Sequence, residues 1–217
     1  MIIRAALALP CLAALAVGAC HDAHSTPADP PQPCGLDDVL ARRRSVRAFS
    51  PRALDEKTVA RLLWAAQGIT DPGGHRTAPS AGALYPLELY AVEVSGVFHY
   101  QPSRSPMEAP LVRIREGDRR SELAAASLGQ AAVSGAALDI VVTAVIARTR
   151  AKYGDRAERF ALLEAGHAAQ NVLLEATALG LGSVPVGAFD DDAVAKVIGA
   201  PSGESVLYIV AVGEPAP

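Results

Sequence analysis

The sequence predicts an α+β domain in which helices pack against a mixed sheet, and three observations support that reading. Residues 156–179 form a long helical stretch closed by Gly180, where a C′ glycine belongs. Residues 87–94 and 97–101 are β-rich runs separated by Ser95-Gly96, a two-residue hairpin signal. Strand and helix patterns otherwise follow one another without the regular alternation that a parallel βαβ sheet needs.

From the start of the domain, Leu36, Val39 and Leu40 make a short amphipathic turn leading into Arg42-Arg43-Arg44. Val59, Leu62, Leu63 and Ala66 recur at i, i+3, i+4 and i+7, so residues 55–67 are a helix stopped by Gly68. After the hairpin, residues 121–130 read as helix and residues 138–147 as a buried strand. Short strands at 183–187 and 205–212 flank a small helix near 191–198.

Composition narrows the function. Half of the 217 residues are hydrophobic but only 5% are aromatic, so the core is built from Ala, Val and Leu. A 20% charged fraction excludes a disordered chain. A net charge of −3 lacks the basic footprint that nucleic-acid binding requires. Three cysteines cannot build a disulfide scaffold.

The N-terminus reads as an address. Met1-Ile2-Ile3-Arg4 supplies one positive charge, and residues 5–17 carry none. That run is shorter than the roughly 20 residues a bilayer span takes, and it fits a secretory signal peptide. Val17-Gly18-Ala19-Cys20 resembles a bacterial lipobox, whose cysteine becomes acylated and N-terminal. Three parts are therefore expected: a signal peptide (1–20) lipidated at Cys20, a Pro-rich tether (21–35) and one domain (36–217). The expected location is outside the cytoplasm, on a bacterial membrane facing the periplasm or the cell exterior.

Self-contained catalytic motifs are missing. The chain has no H-E-x-x-H, C-x-x-C or P-loop, and Ala78 to Gly82 lacks the first glycine of a nucleophile elbow. Gly180-Leu181-Gly182 leaves a helix for a strand, the reverse of a dinucleotide fold. No metal-ligand set stands out.

Three segments are unusual for scaffold. Arg42 to Arg47 places four guanidiniums and a hydroxyl within six residues, a set able to fork onto a phosphate. Pro79 to Pro86 is a loop of small residues that lets backbone approach a flat ligand. Leu181 to Phe189 is a short strand ending in Pro and Gly, able to offer backbone N–H groups to a ring edge.

RRSVRAF (43–49), PSAGALYP (79–86) and QNVLLEATALGLGSVPVGAF (170–189), in that order, resemble the FMN-binding nitroreductase family. The second and third blocks are most similar to its SagB-type (thiazoline/oxazoline) dehydrogenase branch. The resemblance implies an intertwined homodimer with FMN between the chains. Arg43, Arg44, Ser45 and Arg47 would hold the phosphate, ribityl and pyrimidine edge. Ser80, Ala81 and Ala83 of the other chain would line the flavin, and Pro185, Val186, Gly187 and Ala188 would lie along its ring. Asn171 matches an Asn of the family's long helix, either as a flavin contact or as a cap on a buried polar group. Lys152 and Tyr153 match the branch's adjacent Lys-Tyr pair, which abstracts a proton during hydride transfer. Glu164 and His167, one helical turn apart, are expected at the dimer interface.

Two departures accompany the match. Ala83 and Tyr85 stand where simpler nitroreductases carry Asn and Gln, and the last basic residue is Lys196, so no C-terminal cation reaches the phosphate. The implied activity is FMN-dependent transfer between a donor, NAD(P)H among the candidates, and a small acceptor. Azoline dehydrogenation on a peptide, a non-catalytic flavin-binding lipoprotein, and a fold that has lost flavin remain open.

Overall fold

The computed structural model describes residues 35–217. The expected signal peptide, the lipobox with Cys20 and all of the tether up to residue 34 lie outside them.

Helix α1 (Leu36–Arg42) buries only Val39, while Leu36 and Leu40 face outward. Helix α2 (Glu56–Gln67) starts at Asp55, whose carboxylate accepts the Thr58 N–H at 2.7 Å and so satisfies an orphan helix donor. It turns Val59, Leu62, Leu63 and Ala66 inward, as their spacing predicts. Its C-cap is Gly68 in extended backbone, where any β-carbon would strike the Trp64 indole.

Strands β1 (Leu87–Glu93) and β2 (Gly96–Tyr100) form the expected hairpin. Its turn residues are Val94-Ser95, one earlier than the sequence suggested, because Gly96 pairs with Glu93. Gly96 has φ of 147° and abuts the Arg115 backbone, which no larger residue would permit. Strand β3 (Leu111–Glu116) continues the sheet and was not expected.

The helix expected over 121–130 is broken. Helix α3 (Arg120–Ala126) stops where Leu128 (φ 57°) and Gly129 (φ 74°) turn left-handed, and α4 (Ala131–Gly135) follows. Strand β4 (Leu138–Ala144) is buried along its whole length. It ends three residues early: the Val145 N–H to Pro86 carbonyl bond at 2.8 Å is its last contact in register with β1, and α5 (Ile146–Tyr153) starts at the next residue. Helix α6 (Ala157–Ala178), β5 (Gly182–Val186), α7 (Asp191–Ile198) and β6 (Ser205–Gly213) complete the domain.

The sheet order is β3-β2-β1-β4-β6-β5. All five strand pairings are antiparallel, so the parallel character expected of a mixed sheet is confined to an isolated bridge between Ser45 and Ser183. One face packs Leu89, Ile140 and Val142 against α2 and α6. The other packs Val92, Val141 and Ile209 against α3 and α7. Helix α6 meets the sheet through Ala161, Ala165, Ala168, Ala169 and Ala176, all at most 2% exposed, which lets backbone come close to strand. Among the described residues no helix is long and apolar enough to cross a membrane.

Register aligns three element ends. The first residue of β1, Leu87, pairs with Ala144 at the end of β4, and Ala144 with Ser205 at the start of β6. The end of β5, Val186, pairs with Ile209 and so points the same way. The loop before β1, helix α5 and the segment after β5 therefore share one end of the sheet.

Candidate functional site

The loop before β1 carries concentrated backbone strain. Gly82 (φ 64°), Ala83 (φ 53°) and Tyr85 (φ 45°) all lie in the left-handed region, which costs an L-residue about 1–2 kcal/mol. Such conformations persist only where the surroundings over-determine them, and they cluster at working sites. Here the ties are explicit. Ser80 Oγ accepts the Tyr85 N–H at 2.9 Å, the Arg148 guanidinium donates to the Tyr85 carbonyl at 3.2 Å, and Arg76 lies 4.8 Å over the Tyr85 ring.

Helix α5 brings its C-terminal residues onto this loop. A β-carbon on Gly82 would stand 2.9 Å from both Lys152 Nζ and Tyr153 Oη. Glycine there is thus a requirement of space as well as of φ. Lys152 is exposed, and Tyr153 is half-buried with its ring edge-on to Phe160 at 4.9 Å. An ammonium, which can only donate, and a phenol, which can donate or accept, meet over a backbone with no side chain.

A second cluster forms at β5. The Val46 N–H donates to the Ser183 carbonyl at 3.0 Å, and a β-carbon on Gly182 would press into Val46 at 2.7 Å. The arginine segment therefore runs beside the strand that ends at Pro185-Val186. Gly187 and Ala188 follow it exposed, and Gln130 holds the Ala188 carbonyl through Nε2 at 2.9 Å. Val186 itself turns its side chain into the core, which leaves only its backbone to a ligand. Arg44 folds back on the Ala41 and Arg43 carbonyls, at 2.9 and 2.7 Å. The Arg43 and Arg47 guanidiniums have no partner among the described residues.

These features fit the flavin mononucleotide that the resemblance implies. Two unpartnered guanidiniums suit a phosphate, and the exposed backbone of Gly187-Ala188 suits a ring edge. The structure brings Lys152 and Tyr153 to Ala81–Ala83, and Arg43 to Arg47 beside β5. It does not bring the two clusters together within one chain. Strands β4 and β6 lie between β1 and β5, three inter-strand steps or about 14 Å.

Asn171 belongs to neither cluster. Its amide donates to the Thr77 carbonyl at 3.2 Å, capping a backbone group of the loop before the site. Glu164, expected at the dimer interface, is buried within the single chain at 3% exposure, near Ser80 and Arg76; His167, expected there too, is exposed. Burial pushes the Glu164 carboxyl up to about 7, against the opposing pull of the Ser80 hydrogen bond and Arg76. Arg148, Arg76 and Gln130 also shape the site without any signal in the sequence, because their partners lie far along the chain. A cleft of about 770 Å³ between Leu54, Phe98 and Met107 lies elsewhere.

Comparison with known proteins accords with this geometry. The chain is 43% identical over 170 residues to the nitroreductase-family protein MJ1384 of Methanocaldococcus jannaschii, covering 75% of this chain and 83% of that one. It is 30% identical over 156 residues to the microcin B17-processing protein McbC of Escherichia coli, covering 67% of this chain but only 56% of that protein. A crystal structure of a nitroreductase-family protein from Ralstonia eutropha superposes with a TM-score of 0.75 at 28% identity, covering 88% of both chains. The NADPH:FMN oxidoreductase of Vibrio harveyi shares the fold, with a TM-score of 0.63 at 22% identity over 84% of this chain and 69% of that one. The model of the Nitroreductase family matches residues 40–214, nearly the whole described domain, and the chain belongs to that family of oxidoreductases.

Proposed function

We propose that this protein is an FMN-dependent oxidoreductase that acts as a homodimer and moves reducing equivalents between a donor and a small-molecule acceptor. The observation that carries the reading is the convergence of Lys152 Nζ and Tyr153 Oη on Gly82. FMN, when bound, would supply two-electron carrier chemistry between a hydride donor and the acceptor. Arg43 and Arg47, aided by Ser45, grip its phosphate; the Arg44 guanidinium is already engaged by carbonyls. Gly187 and Ala188 present backbone to its ring edge. Lys152 and Tyr153 hold or move the proton that accompanies transfer at the substrate atom. A second copy supports closure, because the loop of one chain can cover the arginine strand of the other across the gap that one chain leaves.

NAD(P)H is the donor class suggested by the name of the Vibrio harveyi neighbour. The lipobox supports anchoring at Cys20, with the domain held at a membrane outside the cytoplasm. A second reading, oxidation of an azoline to an azole on a peptide, is favoured by the Lys152-Tyr153 pair together with the McbC relationship.

The test is an absorbance scan of the purified domain before and after adding FMN and desalting. Retained flavin absorbance bands are expected. A protein that stays colourless and retains no added FMN defeats the reading. With flavin bound, Lys152→Met should keep the bands and lose turnover.

A further inference from the structure

Gly187 and Ala188 are held from one corner of the fold, the bend between α3 and α4. Strand β5 leaves the sheet after Val186, which pairs with Ile209, and α7 begins at its cap Asp190. Between these points Gly187 and Ala188 are exposed, and the Ala188 N–H has no partner among the described residues. Two hydrogen bonds from the corner fix the stretch. Gln130 Nε2 donates to the Ala188 carbonyl at 2.9 Å, and the Ala126 carbonyl accepts the Asp190 N–H at 2.9 Å.

The same Nε2 donates to the Ser127 carbonyl at 3.0 Å, so one amide spends both its hydrogens on carbonyl oxygens. A neutral side chain with two donors on one atom ties both carbonyls without adding a charge. The backbone of the corner aims that side chain. Leu128 is left-handed (φ 57°) although 73% exposed, so no burial offsets its conformation; such residues persist only where their surroundings fix them. Here the Gly129 N–H closes on the Ala124 carbonyl at 2.8 Å, and the Gln130 N–H returns to the Ser127 carbonyl at 3.2 Å. The Gln130 carbonyl in turn accepts the Val133 N–H at 3.0 Å and starts α4. One residue thus holds α3, α4 and the segment after β5, whose Ala188 lies 58 positions away.

We infer that Gln130 is a positioning residue: by pinning the Ala188 carbonyl it fixes the backbone whose unpaired N–H is offered to the flavin ring. This deepens the proposed function and rests on it, though the hold on the segment can be observed without flavin. Hydrogen bonds to ring nitrogens are among the means by which a protein tunes a flavin. A fixed donor favours the reduced ring, which carries more electron density, over the oxidised one. Freeing that donor should lower the midpoint potential and leave the phosphate grip of Arg43 and Arg47 as it is.

The test compares the full chain with Gln130→Met, which keeps the length of the side chain and removes both donors. FMN affinity by fluorescence titration should weaken by less than about threefold. The midpoint potential, read by equilibration with a reference dye, should fall by a tenfold loss of preference for reduced flavin, about 30 mV for a two-electron couple. Gln130→Glu, equally long and unable to donate when ionised, should give the same fall, and it replaces Gln130→Met if that variant does not fold. Leu128→Gly relieves the left-handed leucine, keeps the amide and should hold the wild-type potential. Equal potentials in wild type and the Gln130 variants overturn the inference, as does an equal fall in Leu128→Gly. Without flavin, deuterium exchange of the Asp190 amide by mass spectrometry should quicken at least about fivefold in Gln130→Met. An unchanged rate shows that Gln130 does not hold the segment and overturns the inference by itself. A wild type that retains no FMN brings down the proposed function instead, and the exchange rate still decides the hold.

Discussion

Arg148 donates from Nη1 to the carbonyl oxygen of Tyr85 at 3.2 Å and from Nη2 meets Glu88 Oε1 at 2.6 Å. Glu88 also takes His99 Nε2 at 2.8 Å. Burial alone would raise the Glu88 carboxyl, yet the bonds from His99 and Arg148 outweigh it and hold it below the ordinary range. Helix α5 is thereby fixed to the start of β1 by a side chain one turn before Lys152. The placement of the Lys-Tyr pair is a property of this tie as much as of α5 itself.

Arg148→Met keeps the stem of the side chain and removes the tie. The arginine is 44% exposed, so screening limits the loss to about 1 kcal/mol, or a fall in Tm of roughly 2–4 °C by calorimetry. Turnover should fall further than that stability change explains, by about tenfold, through displacement of the Lys-Tyr pair. Unchanged turnover would show that α5 holds its place without Arg148.

Gly82→Ala meets two obstacles together. Its φ of 64° disfavours a β-carbon by about 1–2 kcal/mol, and Lys152 and Tyr153 must move aside. We expect a lower Tm in thermal melts and at least tenfold slower turnover in steady-state assays. A variant with wild-type kinetics would mean that the pair does its chemistry elsewhere.

Arg43→Ala combined with Arg47→Ala separates binding from folding. Neither guanidinium has a partner among the described residues, so stability should change by no more than about 0.5 kcal/mol. Each lost phosphate contact is worth about 1.5–3 kcal/mol, so FMN affinity in a fluorescence titration should drop at least tenfold. A drop in stability with affinity intact would reassign the arginines to scaffold.

Asp139 lies fully buried on β4 with neither oxygen partnered among the described residues, and burial holds its carboxyl well above the ordinary 3.8. Nearby Arg120 opposes that rise and Asp118 adds to it. The folded state therefore favours the neutral acid. Its contribution to stability is complete below pH 3.8 and is lost as pH rises through the raised folded value. Over that window the loss is about 1.4 kcal/mol per pH unit. Asp139→Asn does not titrate, so its advantage over wild type in urea unfolding should grow from pH 5 to pH 8. A constant difference would show that Asp139 keeps the same proton affinity folded and unfolded.

Where the period was long or the punctuation strong, the chain was legible. Asp55 and Gly68 bracket α2, and α6 differs from its expected span by one residue at each end. Strand β3 escaped because Val112 and Ile114 are exposed on an edge strand, so alternation there marks no buried face. Helix α5 escaped because, of its eight residues, only Thr149 is buried, which is too little for a helical period. The Lys-Tyr pair could be named from resemblance. Its supports could not, since Arg148 meets Tyr85 across 63 residues, and Asn171 meets Thr77 across 94.

The alanine ridge of α6 has a consequence for how this protein can change. Alanine gives up no rotamer freedom on burial, so the ridge docks without that entropic cost. It also leaves no slack: an added methylene has no void to enter and must push helix from sheet, typically at 1–3 kcal/mol. Because Glu164 is buried on that same helix, enlargement at Ala161, Ala165 or Ala168 would displace the acid as well. Variation that spares the loop should therefore accumulate on the outward face, around Leu162 and Leu163, while the inward face stays small.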